Sequence, residues 1–153
     1  MKASQPAEET PGVVTAVSGR LLVVDDDPHF LHVLARILQA EDFQVRCAAD
    51  AAEAIQILHD DPIDVVISDL RMPECDGLRF VQQIRASANQ VPVIILTAYD
   101  EADTYLEAMN AGANEYLNKP IDSAQLLKAV RTCLPAGNAR RHVGRAGTEQ
   151  SNY

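Results

Sequence analysis

The feature that most constrains the fold is an alternation of short strand-like runs with longer stretches of helical spacing. The strand-like runs lie at residues 20–24, 44–47, 63–68, 93–96 and 115–118. Strands that alternate with helices in this way are typical of a parallel sheet covered by helices. The run Val65-Val66-Ile67 is apolar at each position, which indicates a strand buried on both faces. The sequence therefore predicts an α/β domain with five strands and five helices.

Start and stop signals support this assignment. Aspartates are the predicted N-caps of three helices, the first, second and fifth: Asp27, Asp50 and Asp122. Pro28 follows the first cap at a helical position where a missing N–H costs little. The fourth helix is predicted over residues 100–110 and is stopped at Gly112, and the fifth ends before Pro135.

Length and composition fit one globular domain. The 153 residues are enough to bury a core, and 47% hydrophobic with 23% charged residues is ordinary for such a domain. Residues 1–18 and 136–153 are rich in small and polar types, so we expect a flexible leader and a flexible tail or linker around a domain at 19–135. No membrane-length apolar stretch and no apolar secretion signal occur, which predicts a cytoplasmic protein without a membrane partner.

Charge and cysteine usage argue against two other classes of protein. A net charge of −9 is unfavourable for binding nucleic acid, because contacts to phosphates depend on Lys and Arg. Cys47, Cys75 and Cys133 have no C-x-x-C spacing and are interpreted as free thiols. His29 and His32 lie three residues apart on a predicted helix, but without further ligands nearby they are interpreted as surface residues.

Polar side chains follow four of the predicted strands where each strand ends: Asp25-Asp26, Asp69, Thr97 and Lys119-Pro120. In open parallel sheets, ligands bind beyond the carboxyl ends of the strands, so we expect these groups to converge. Three carboxylates ~4 Å apart would repel one another by roughly 4 kcal/mol per pair at an effective dielectric near 20. Such a cluster needs a cation, and hard oxygen ligands suit Mg²⁺ or Mn²⁺.

The same groups fit phosphoryl chemistry. A carboxylate such as Asp69, held at the end of a rigid strand, can act as a nucleophile toward phosphorus. Lys119 and Thr97 can donate hydrogen bonds to phosphoryl oxygens. Phosphoryl transfer asks a protein mainly for positioning and charge neutralisation, which this set of residues would supply.

Together these motifs resemble the receiver domain of two-component response regulators, across about residues 19–135. The matching stretches are Leu22-Val23-Val24-Asp25-Asp26-Asp27-Pro28, Ser68-Asp69-Leu70-Arg71-Met72-Pro73 with Asp76-Gly77, Leu96-Thr97-Ala98, and Gly112-Ala113 through Tyr116-Leu117-Asn118-Lys119-Pro120. The resemblance implies a doubly wound, flavodoxin-like three-layer sandwich whose parallel sheet has the strand order 2-1-3-4-5.

The resemblance also implies a role for each site residue. Asp69 would be the phosphoacceptor, and Mg²⁺ would be held by Asp26, Asp69, the backbone carbonyl of Arg71 and, through a water, Asp25. Thr97 and Lys119 would bind the phosphoryl group. Thr97 and Tyr116 would form the conformational switch, and the peptide bond before Pro120 would be cis.

Partners follow from the same resemblance. The phosphoryl donor would be a sensor histidine kinase, a histidine phosphotransfer protein or a small donor. The surface of the fourth helix, fifth strand and fifth helix would act on a downstream protein, or on an effector domain beyond residue 153 if the chain is an excised receiver. Phosphorylation-dependent pairing of two copies is a further expectation. As a separate hypothesis, the bulky side chains of Arg71 and Tyr99 would hinder the attacking water and lengthen the life of the phosphoryl group.

Two alternatives to a phosphorylation-controlled signalling switch are a phosphohydrolase and a degenerate receiver. A Mg²⁺-dependent phosphohydrolase with an aspartyl-phosphate intermediate usually has a second Asp two residues after the nucleophile, where this chain has Arg71. The sequence therefore favours a phosphoacceptor over a turnover enzyme. A degenerate receiver that only binds partners is disfavoured because the full set of pocket residues is present.

Overall fold

The computed structural model describes residues 18–72, 76–98 and 102–135. Strands and helices alternate in the order β1 (Gly19–Val24), α1 (Pro28–Gln39), β2 (Phe43–Ala48), α2 (Ala51–Asp60), β3 (Val65–Ser68), α3 (Gly77–Ala86), β4 (Val93–Thr97), α4 (Ala102–Ala111), β5 (Glu115–Asn118) and α5 (Ser123–Cys133). The five strands form one parallel sheet with the order β2-β1-β3-β4-β5. This confirms the α/β class predicted from the alternation and the strand order implied by the resemblance.

The sheet is covered by helices on both faces because alternate side chains of each buried strand point to opposite sides. One core cluster joins the sheet to α1 and α5, through residues that include Val23, Ile67, Leu34 and Leu126. The other cluster joins the opposite face to α2, α3 and α4, with Phe80 as its largest fully buried side chain. The strands β1, β3 and β4 are buried at nearly all positions, and for β3 this confirms the burial predicted from Val65-Val66-Ile67.

The helix boundaries follow the predicted signals. The side chains of the three predicted caps accept backbone N–H groups from the first turns of α1, α2 and α5: Asp27, Asp50 and Asp122. Gly112 has a φ of 116° and directly follows α4. Its N–H donates to the Met109 carbonyl and the Ala113 N–H to the Ala108 carbonyl, at 3.1 and 3.0 Å. This pair of bonds is the Schellman arrangement, which glycine favours at a helix end.

The third strand begins later than predicted. The sequence predicts a strand from residue 63, whereas β3 begins at Val65. The carboxylate of Asp64, and not a backbone carbonyl, accepts the N–H of Arg20 at 2.8 Å. The β1–β3 ladder therefore begins with the pair Leu21 and Val65, two residues after the predicted start. The predicted start of the fourth helix at Asp100 lies outside the described residues, as do most of the predicted leader, the predicted tail, Cys75 and Tyr99. Within the described part of the chain, no helix has the length and apolar character that crossing a membrane requires.

Candidate functional site

The four groups predicted at the strand ends lie together at one edge of the sheet. Asp25 and Asp69 directly follow β1 and β3, Thr97 is the last residue of β4, and Lys119 directly follows β5. Backbone hydrogen bonds fix their relative positions. The Asp69 N–H donates to the Val24 carbonyl at 2.9 Å, and the Lys119 N–H donates to the Thr97 carbonyl at 2.7 Å. The site is therefore built on the ends of a rigid sheet.

Three carboxylates form a cluster at this edge. One oxygen from each of Asp25, Asp26 and Asp69 lies within 4.8 Å of the others. Asp25 is buried and Asp69 nearly so, with 2% and 9% of their surface exposed, whereas Asp26 is exposed to solvent. The Asp27 N–H donates to Asp25 Oδ1 at 2.9 Å, which holds the Asp25 carboxylate at the start of α1.

Lys119 supplies the positive charge of the site. Its Nζ atom lies 3.0 Å from Asp25 Oδ2 and 3.8 Å from Asp69 Oδ1. The Lys119–Pro120 peptide bond is cis. The same ammonium group lies 4.0 Å from the centroid of the Phe30 ring, on the first turn of α1. The ammonium is thus enclosed by two carboxylates and one aromatic face.

Burial dominates the electrostatics of Asp69. Loss of contact with water raises the pKa of this carboxyl above its ordinary value of 3.8. The Lys119 ammonium opposes the rise, the negative charge of Asp25 adds to it, and the backbone N–H groups of Leu70 and Arg71 lower the pKa again. The Leu70 N–H donates to Asp69 Oδ1 at 2.8 Å, which fixes the orientation of the carboxylate.

The donor set fits a divalent cation. Three carboxylates facing one ammonium leave an excess of negative charge, and carboxylate oxygens are the hard ligands that Mg²⁺ and Mn²⁺ prefer. Asp26 is accessible from solvent, so it can bind an ion that keeps part of its water shell. Arg71, whose backbone carbonyl is the remaining predicted ligand, has an exposed side chain two residues after Asp69.

The start of α3 packs against the backbone at the end of β3. The Gly77 N–H donates to the Leu70 carbonyl at 2.6 Å, and Asp76 caps the helix by accepting the Arg79 N–H. A β-carbon on Gly77 would lie 2.5 Å from the carbonyl oxygen of Asp69. Glycine is therefore required for this close approach of α3 to the strand end.

The two residues of the predicted switch lie on neighbouring strands. Thr97 is fully buried, and Tyr116, which pairs with Ile95 in the β4–β5 register, is half-buried. Ile95 and Thr97 are two residues apart on β4, so their side chains point to the same face of the sheet. Tyr116 is the partner of Ile95 on β5 and therefore lies on that face as well. The ring of Tyr116 meets the ring of Tyr105 on α4 edge to face, with centroids 5.5 Å apart and an interplanar angle of 81°.

Sequence reasoning missed the positions of two residues around the site. The sequence predicts neither the contact of Phe30 with Lys119 nor that of Tyr105 with Tyr116. The signal for Phe30 is its place in the first turn of a helix that starts three residues after the β1 carboxylate, since side chains in a helix lean toward its N-terminus. No comparable signal in the sequence indicates the contact of Tyr105 with Tyr116.

Comparisons with known proteins point to one family. The family model of the response regulator receiver domain matches residues 21–131. The regulatory protein AtoC of Escherichia coli K12 is 33% identical over 130 residues, which cover 85% of this chain and 28% of AtoC. The transcriptional regulatory protein PrrA of Mycobacterium tuberculosis is 39% identical over 117 residues, covering 76% of this chain and 50% of PrrA. The chain thus spans about half, or less, of the length of these relatives.

Solved structures lead to the same family. The chemotaxis protein CheY4 of Vibrio cholerae is similar with a TM-score of 0.73 and 30% identity, covering 78% of this chain and 100% of CheY4. The receiver domain of the Francisella response regulator 1452 has a TM-score of 0.72 and 28% identity, covering 75% of this chain and 95% of that domain. Since the family model matches well over half of the residues, the chain belongs to the response regulator receiver domain family.

Proposed function

We propose that this protein is a phosphorylation-controlled switch in which Asp69 accepts a phosphoryl group from a histidine kinase or a histidine phosphotransfer protein. The observation that carries the proposal is the arrangement around Lys119 Nζ, which lies 3.0 Å from Asp25 and 3.8 Å from Asp69 beside a cluster of three carboxylates. A carboxylate nucleophile, a cation site and an ammonium group in one place are the parts that phosphoryl transfer needs.

In the proposed reaction an oxygen of Asp69 attacks phosphorus. The new P–O bond replaces the P–N bond of phosphohistidine, and the imidazole leaves with the electron pair of that bond. With acetyl phosphate as donor, a P–O bond breaks and acetate leaves. The Leu70 N–H, which donates to Asp69 Oδ1 at 2.8 Å, would leave the other oxygen of the carboxylate for the attack.

The cation site and Lys119 have complementary roles. Bound Mg²⁺ would be held by Asp26, Asp69 and the Arg71 carbonyl, with Asp25 acting through a water, and would neutralise charge on the transferring group. Lys119 would move from the carboxylates to a phosphoryl oxygen once Asp69 is phosphorylated. Thr97, buried at the end of β4, would donate its hydroxyl to another phosphoryl oxygen.

The effect of phosphorylation would reach partners through the surface formed by α4, β5 and α5. Movement of Thr97 toward the phosphoryl group would open space on the side of the sheet that Tyr116 shares, and Tyr116 would turn into it. A phosphoryl group can shift this equilibrium only by its differential affinity for the two arrangements. Two large apolar side chains of α4, Tyr105 and Leu106, are 45% and 55% exposed and would contact a protein partner, an effector domain or a second copy of this chain.

The test is mass spectrometry of the intact protein. Incubation with acetyl phosphate and Mg²⁺ should add ~80 Da, and removal of the cation with a chelator should prevent the addition. Asp69→Asn should abolish the adduct. Asp60→Asn is the matched control, because Asp60 lies at the exposed end of α2 and should leave the adduct unchanged.

The remaining outcomes separate the alternatives. Absence of an Asp69-dependent adduct, from acetyl phosphate and from a phosphohistidine donor alike, would contradict the proposal and favour a receiver that only binds partners. Steady turnover of a phosphomonoester would favour a phosphohydrolase. The matched family is a receiver family and not a catalytic one, so we expect one phosphoryl group per chain and no turnover of such esters.

A further inference from the structure

We infer that Phe30 is a positioning residue for the phosphoryl site, acting through a cation–π contact with the ammonium group of Lys119. The inference rests on the proposed function and goes beyond it by adding a residue from α1 to the site. Lys119 Nζ lies 4.0 Å from the centroid of the Phe30 ring. A cation within about 6 Å of an aromatic centroid is attracted by the negative face of the ring.

The contact completes the surroundings of the ammonium group. Asp25 and Asp69 approach Lys119 Nζ at 3.0 and 3.8 Å, and the side chain of Lys119 is 21% exposed. An ammonium group has lost much of its hydration in such a place, and a cation–π contact is stronger where water is excluded. The Phe30 ring therefore offsets part of the cost of holding this charge at the sheet edge.

Phe30 is itself held in place by the start of α1. Asp27 Oδ1 accepts the Phe30 N–H at 3.4 Å and the His29 N–H at 3.0 Å, and Pro28 occupies the first helical position. The ring is half-buried and packs against the core cluster between the sheet and α1. The same turn that carries Asp25 and Asp26 thus also fixes the aromatic face above Lys119.

The ring suits a group that must change partners during the reaction. Hydrogen bonds from Lys119 to a carboxylate are directional, whereas attraction to the face of a ring tolerates rotation of the ammonium. The ring would therefore retain Lys119 while its N–H groups pass from Asp25 and Asp69 to a phosphoryl oxygen. An aliphatic side chain at position 30 would fill similar space without this attraction.

The contact can be tested without any phosphoryl donor. The sequence has three lysines, Lys2, Lys119 and Lys128, so lysine labelled with ¹³C gives three ε-methylene signals. A ring face shifts protons above it upfield, so in the cation-free protein we expect one ε-methylene signal to be displaced. That displacement should be lost in Phe30→Leu and kept in Phe30→Tyr.

The consequence is tested by the rate of adduct formation from acetyl phosphate with Mg²⁺. Phe30→Leu should slow it by about threefold to tenfold, the effect of losing one partly desolvated cation–π contact. Phe30→Tyr should restore most of the rate. Phenylalanine analogues with one, two and three ring fluorines at position 30 should lower the rate stepwise, because each fluorine weakens the face of the ring with little change of shape.

Phe43→Leu is the matched control for a general packing defect. Phe43 belongs to the same core cluster and is 3% exposed, but it lies at the start of β2, away from Lys119. The Phe43→Leu variant should keep the displaced lysine signal and form the adduct at the rate of the wild-type protein, even if its melting temperature falls.

Three results would overturn the inference. They are the absence of a displaced lysine signal, a Phe30→Leu rate within twofold of the unchanged protein, and a fluorine series with no trend. Each leaves the proposed function intact so long as the Asp69-dependent adduct forms. Absence of that adduct in the unchanged protein would instead contradict the proposed function, and with it the role of Phe30 in the reaction.

Discussion

Gly77 lies so close to Asp69 that a β-carbon at position 77 would stand 2.5 Å from the Asp69 carbonyl oxygen and 2.9 Å from Cα of Leu70. Both contacts are with backbone atoms, which cannot move aside as the end of a side chain can. The short hydrogen bond from the Gly77 N–H to the Leu70 carbonyl, 2.6 Å, requires the same close approach. The first residue of α3 therefore packs directly against the backbone of Leu70 and of Asp69, the proposed phosphoacceptor.

We expect Gly77→Ala to damage both stability and the site. The overlap forces α3 away from the end of β3, at a cost of about 2–3 kcal/mol in the free energy of unfolding. Urea denaturation measures this loss, and adduct formation at Asp69 should slow in parallel. Gly19→Ala is the control, because its β-carbon would meet the flexible end of Leu134 at 3.0 Å and should cost less than about 1 kcal/mol. Equal losses for the two variants would contradict the backbone argument.

The pKa of Asp69 predicts how stability depends on pH in the absence of a cation. Burial raises this pKa in the folded protein, so folding favours the protonated form. The folded state therefore loses stability as pH rises from the ordinary pKa of 3.8 through the raised value, and the full penalty is present above both. Asp69→Asn should raise the melting temperature of the cation-free protein at pH 7, and the gain should disappear below the ordinary pKa.

Asp60 is the control for this prediction, because its pKa is shifted in the opposite direction. Hydrogen bonds from Gln56 and then His59 lower the pKa of this exposed carboxyl. The stabilisation that follows is present above the ordinary pKa and is lost as pH falls, so Asp60→Asn should leave the melting temperature at pH 7 unchanged or lower it. A gain from Asp60→Asn as large as that from Asp69→Asn would show that general charge repulsion, and not burial of Asp69, is responsible.

The sequence predicted the fold well because its signals are local. Apolar runs, the caps at Asp27, Asp50 and Asp122, and Gly112 after α4 each act within a few residues, and each is found as predicted. The start of β3 was wrong by two residues because the carboxylate of Asp64 takes the N–H of Arg20 in place of a carbonyl. No pattern in either segment reveals that long-range bond.

The sequence predicts which groups converge at the site, but it does not predict which side chains are in contact there. Polar residues after parallel strands must meet at one edge, and this is enough to bring Asp25, Asp69 and Lys119 together. The contact of Lys119 with Phe30 depends on the direction of the first turn of α1, and the backbone contact at Gly77 depends on how α3 packs. Such contacts between elements are set by packing, so the sequence pattern cannot supply them.

Arg85 is expected to fix the edge of the sheet opposite the site. Its guanidinium donates to the carbonyls of Asn89, Val91 and Gly112 and to Oδ1 of Asn114, at distances from 2.7 to 3.2 Å. A lysine cannot reproduce this planar set of donors, so Arg85→Lys should lower the free energy of unfolding by about 1–3 kcal/mol.

Chemical denaturation of Arg85→Lys and Arg131→Lys measures the difference between a half-buried and an exposed arginine. Arg131 pairs with Glu41 at 2.9 Å on the surface, with both side chains more than 40% exposed, and its replacement should cost less than about 0.5 kcal/mol. Hydrogen exchange of the loop between α3 and β4 should quicken in Arg85→Lys alone. An Arg85→Lys variant as stable as the wild-type protein would contradict this role of Arg85.

The edge-to-face pair of Tyr105 and Tyr116 predicts an energetic coupling between α4 and β5. Their centroids lie 5.5 Å apart at an interplanar angle of 81°, a geometry that contributes about 0.5–1.5 kcal/mol beyond area burial. A double-mutant cycle of Tyr105→Ala and Tyr116→Ala should recover a coupling of that size in the unphosphorylated protein. The cycle isolates this pair from the other contacts of Tyr116, because those are lost in both arms.

Leu106→Ala provides the control cycle, since Leu106 is the next residue on α4, is 55% exposed and is expected to couple to Tyr116 by less than about 0.3 kcal/mol. If Tyr116 turns when Asp69 is phosphorylated, the Tyr105–Tyr116 coupling should fall after treatment with acetyl phosphate and Mg²⁺, because the ring leaves its partner. A coupling that stays the same in both states would mean that Tyr116 does not move away from α4, and the output surface would then have to change by another route.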